Sequence, residues 1–149
     1  DIDALIKKFQ DRAVTYIKSV KTTNNFETEK NLCEQACKKD DIINAMIHFY
    51  HAKSAPSLSD RLPILQELRE QHINPLIKAQ ISDRILSVHD SENLDQIHLM
   101  ISNIVLIQAL DVEVIREDSD LKKLCRRFLE LSLQEGSRST AVASGYDFQ

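Results

Sequence analysis

The first 135 residues contain no glycine; the only two are Gly136 and Gly145. Tight β-hairpins use glycine or Asn-Gly at positive φ, and phosphate-cradling loops need glycine where the backbone approaches the ligand. One absence therefore argues against all-β folds, dinucleotide-binding folds and P-loop enzymes together. What remains is a chain built from helices.

The apolar residues recur at helical spacing. Ile2, Leu5, Ile6, Phe9, Ala13, Tyr16, Ile17 and Val20 predict a first helix to about Lys21. Asn25 is a candidate cap for a second, with Phe26, Leu32, Cys33, Ala36 and Cys37 inward. Asp40 or Asp41 starts a third that runs to about Lys53 with Ile43, Met46, Ile47 and Tyr50 inward. A single rod bent near Asp40 is the other way to join these two. Ser59 is read as the cap of a fourth, with Pro63 in its first turn and Leu62, Leu65 and Leu68 inward. Asn74-Pro75 reads as the clearest boundary, a cap followed by proline at the first helical position, opening a fifth through Ile77, Ile81, Ile85 and Val88. Asp90 or Ser91 opens a sixth through Leu94, Ile97, Ile101, Ile104 and Val105, which is apolar on nearly every side and should be the most buried. Residues 111–118 read as helix end plus loop. Ser119 begins a seventh with Leu121, Leu124, Cys125, Phe128 and Leu131 inward, stopped by Gly136.

The fold class is therefore all-α, a compact multi-helix bundle of about seven helices. A short α-α hairpin solenoid is the alternative, because Asn25, Ser59 and Asn93 lie at a regular spacing. A chain of 149 residues with 42% hydrophobic and 28% charged content suits one globular domain, read as residues 1–135 followed by a flexible tail over 136–149. The net charge of −4 favours solubility and gives no global attraction to nucleic acid, which is not expected as a partner. The longest apolar run, residues 99–107, is too short to be a transmembrane segment. Three cysteines, an odd number, favour reduced thiols and a cytoplasmic setting over a disulfide framework. The chain begins at Asp1, as a processed protein or part of a longer one would, so secretion into a host cell or outside the cell stays open.

Lys122, Lys123, Arg126 and Arg127 crowd one side of the seventh helix opposite Leu121, Leu124 and Phe128, and are the candidate binding residues for an acidic partner or anionic lipid headgroups. Acidic residues at the start of that helix and basic ones further along also complement its macrodipole. Cys33-x3-Cys37 and His48-x2-His51 invite a zinc reading. The cysteines share an apolar face, however, while His48 and His51 read onto a solvated face with Asp41 and Asn44. No metal site is expected from them, with His48 and His51 the weak candidates. No nucleophile elbow, oxyanion loop or paired carboxylate is marked, so no catalytic residue or cofactor is expected, and an enzyme ranks behind the binding readings.

Glu130 and Glu135, a Ser/Thr/Ala-rich stretch and then Tyr146 and Phe148 near the end are similar to the C-terminal export signals of bacterial type IV effectors. The resemblance implies the end of a larger secreted effector that acts on a host factor. The functional expectation is a helical protein-interaction module acting through exposed helix faces, with another protein as partner. An anion- or phosphoinositide-binding domain and a helical cytokine, which would need a disulfide, are the alternatives.

Overall fold

The computed structural model describes residues 1–57, 60–111 and 118–134. Of these, 83% are helical and none lies in a strand. The elements are α1 (Ile2–Ser19), α2 (Phe26–Lys38), α3 (Ile42–Ser54), α4 (residues 62–82), α5 (Ile85–Asp90), α6 (Leu94–Leu110) and α7 (Asp118–Gln134). Residues 112–117 and Gly136 with the rest of the tail lie outside the described residues, as does Ser59.

Local chemistry sets the helix ends. Asn25, Asp41 and Asn93 cap α2, α3 and α6, each side chain accepting from the backbone N–H three residues on. The sixth periodicity thus opens at Asn93, whereas Asp90 closes α5. Asp60 accepts from the Leu62 N–H in front of α4. Asp40 adopts φ 57° between α2 and α3, so these helices fold back into an antiparallel hairpin instead of forming a bent rod. The Gln80 side chain donates to the Asp40 carbonyl at 2.7 Å and ties α4 to that turn.

Asn74-Pro75 is not a boundary. Asn74 has helical φ and ψ, and its side chain makes no cap. The helix runs through proline because the preceding turn, Arg69–Ile73, is a π-turn in which the Asn74 N–H reaches back to the Arg69 carbonyl. A wider turn relieves the clash that a proline ring makes with the carbonyl four residues earlier. A second π-turn, Lys78–Ser82, closes the rod.

Helix α6 is the centre. Ile97, Ile101, Ile104, Leu106 and Ile107 are wholly buried, and α1, α3, α5 and α7 all pack on it. Contact of α1 and α3 with a helix far along the chain makes a bundle and not a solenoid, where each unit touches only its neighbours. Phe9, His98 and Phe128 join α1, α6 and α7, with ring centroids 4.9 Å (Phe9–His98), 5.7 Å (His98–Phe128) and 6.3 Å (Phe9–Phe128) apart. Among the described residues no helix is long and apolar enough to cross a membrane.

Candidate functional site

The α2–α3 hairpin buries a charge. Glu29 is 0% exposed. Its Oε2 accepts from the Thr23 N–H at 2.9 Å and the Thr23 hydroxyl at 2.8 Å. Its Oε1 faces His48 Nδ1 at 2.7 Å and His51 Nδ1 at 3.2 Å. The two imidazoles lie one turn apart on α3, with 15% and 11% of their side chains exposed. They do not sit on a solvated face with Asp41 and Asn44, as their spacing suggested. Every position from Ala45 to Phe49 except His48 is buried, so α3 is covered on more than one side and its histidines meet α2.

Burial pushes the Glu29 carboxyl up, but the hydrogen bonds from His48 and Thr23 outweigh it and hold the group at about 2, below an ordinary 4.5. A depressed carboxyl contributes stability that is present above the ordinary value and lost as pH falls through the folded-state value. Thermal melts of metal-free protein should therefore lose stability between about pH 4.5 and 2. A Glu29→Gln variant should show a shallower loss over that window, and equal slopes would contradict the assignment.

Sequence reasoning missed Glu29. Its position four residues into α2 resembles an acid placed to favour the helix N-terminus. The available signal was its register: Phe26, Glu29, Cys33 and Ala36 follow a three–four spacing, so a carboxylate stands inside an apolar stripe.

A second feature lies between α3 and α4. Phe49, Tyr50, Lys53, Leu62, Leu65 and Arg69 line a cleft of about 580 Å³. Two sequence expectations are corrected here. Leu62 is 70% exposed and Tyr50 is 42% exposed, although both were read as inward. Phe49 takes the buried position on α3, and Leu65 and Leu68 fix the inner face of α4. The Arg69 guanidinium stacks 4.8 Å above the Phe49 ring and donates to Asp111 at 2.7 Å. Arg61 donates to the Ala55 carbonyl. Lys53, half exposed, stands 3.9 Å from Asp111. Three cations thus line the cleft, Lys53 and Arg69 both facing Asp111 at its edge, and no carboxylate is among its described lining residues.

The α7 stripe is less open than its sequence suggested. Lys122, Lys123 and Arg126 are exposed, but Arg127 is half-buried and engaged. It pairs with Glu92 at 2.7 Å and Glu130 at 3.4 Å. The shallow depression beside it, about 290 Å³, mixes Lys123, Arg126 and Arg127 with Asp90 and Glu130.

All three cysteines are free. Burial pushes Cys125 up to about 11, and Cys33 is also raised, by its hydrogen bond to Cys37 and by burial. Cys37 is half-buried, and the hydrogen bond from Cys33 lowers it despite burial. The three thiols therefore differ in their environments. Under limited reagent Cys37 should be modified first, and Cys33 and Cys125 only on unfolding. Peptide mapping that found Cys125 modified first would contradict this order.

A scan against protein-family models and searches of curated proteins and of solved structures returned no match to this chain.

Proposed function

We propose that this chain is a protein-interaction module whose binding surface is the α3/α4 cleft, and that it takes an acidic segment with an apolar anchor from another protein. The observation that carries the reading is the pairing of two exposed apolar side chains, Tyr50 and Leu62, with a cationic rim that has no carboxylate among its described lining residues. Large apolar residues left in water beside a concavity are the usual mark of a binding site. Tyrosine and arginine are enriched among the residues that carry binding energy. A rim of one sign steers a partner of the other and rejects like charge. The α7 stripe supports a phosphate or lipid reading less well, because Asp90 and Glu130 themselves line the depression beside it.

The test uses the whole chain as bait for a displayed peptide library, with a Lys53→Glu/Leu62→Asp double variant in parallel. Both side chains are at least half exposed, so the variant should melt within a few degrees of the wild type. Enrichment on the wild type alone of peptides joining an aromatic or leucine anchor to Asp or Glu would support the reading. Equal enrichment on both proteins, or enrichment of basic peptides, would overturn it.

A further inference from the structure

Glu29 is a carboxylate without a lysine or arginine partner among the described residues; its ion-pair partners are His48 and His51. A buried carboxylate needs compensating positive charge, and a bound cation would supply it where no lysine or arginine does. The cluster has the donor set of a metal centre. Glu29 Oε1, His48 Nδ1 and His51 Nδ1 all lie within 4.8 Å of one another. We propose that these three atoms bind a divalent first-row transition ion, with zinc as the reference ion.

Three features of the fold favour this. The Thr23 amide and hydroxyl hold Glu29 Oε2 and leave Oε1 directed at the imidazoles, as outer hydrogen bonds orient ligands in metal sites. The i, i+3 spacing puts both histidines on the side of α3 that meets α2, so the hairpin brings the ligands together before any ion arrives. Two imidazole nitrogens and one carboxylate oxygen suit zinc or ferrous iron and are too few and too soft for calcium. The present Nδ1···Oε1 contacts are hydrogen bonds, so binding moves each imidazole proton from Nδ1 to Nε2 and opens the contacts by several tenths of an ångström. Three protein ligands leave at least one position for water or an added ligand, reached past the partly exposed histidine edges. The cysteines take no part: the cluster comprises Glu29, His48 and His51.

The test is zinc titration of the chelator-treated protein by calorimetry, with cobalt as a spectroscopic substitute. The expected result is one ion per chain at micromolar affinity or tighter, and a melting temperature raised by roughly 5 °C at a hundredfold excess over Kd. Bound cobalt should give the visible bands of a nitrogen–oxygen site with no near-ultraviolet thiolate band. Glu29→Gln and His51→Gln should each weaken zinc binding at least tenfold. Because either variant could lose its fold, a second readout uses the wild type alone. In nitrogen-15 spectra of the imidazoles, zinc should shift His48 and His51 and leave His72, His89 and His98 unmoved. Absence of saturable binding below about 100 µM zinc, a thiolate band, or shifts confined to other histidines would overturn the proposal and leave the cluster a hydrogen-bonded clasp only.

Discussion

Replacing Glu29 by alanine is expected to cost about 3–5 kcal/mol of folding stability, the largest effect expected of any single polar substitution among the described residues. The change removes the acceptor for the Thr23 amide and hydroxyl and for both imidazoles at once. It also leaves a void where the side chain is wholly enclosed. Urea unfolding at neutral pH should show the loss as a lower midpoint with an unchanged slope. Replacing Thr23 by valine removes a single hydroxyl bond and should cost far less, about 1 kcal/mol. Similar costs for the two variants would mean that Glu29 is not the centre of the cluster.

The second large effect is on binding. A peptide that joins an apolar anchor to acidic residues should lose at least about thirtyfold in affinity to the Lys53→Glu/Leu62→Asp variant, the equivalent of one interface hot spot. The loss should combine two causes that salt separates. Added salt screens the contribution of Lys53 but not the apolar contact of Leu62. Affinity of the wild type should therefore fall with salt, and that of a Lys53→Gln variant should fall less steeply. A triple replacement of Lys122, Lys123 and Arg126 by glutamine should change neither affinity nor melting temperature appreciably, since all three are solvated side chains on another helix.

The helices themselves were legible because local signals agreed with tertiary ones. Asn25 announced α2, the Asp40-Asp41 pair announced α3, and the apolar girth of residues 94–107 marked α6 as the centre, where Ile97, Ile101 and Ile104 are indeed wholly buried. Asn74-Pro75 misled because a cap and a first-turn proline look the same in sequence as a proline admitted by a π-turn; the difference lies in a hydrogen-bond ring that only the backbone reveals. Leu62 and Tyr50 were placed inward because apolar periodicity reports that a face exists, not whether another element covers it. The cleft could not be read for the same reason. The Glu29 cluster needed the α2–α3 hairpin, since its members are separated by 19 and 22 residues and nothing local links them.

The measurement that bears most directly on the binding surface is a backbone amide nuclear magnetic resonance titration of the full chain with an enriched acidic peptide. The account expects shifts that saturate together and cluster on Tyr50, Lys53, Leu62, Leu65 and Arg69, with α7 unmoved. Shifts centred on Lys122, Lys123 and Arg126, or scattered over no single surface, would contradict the α3/α4 cleft as the site through which this protein meets its partner.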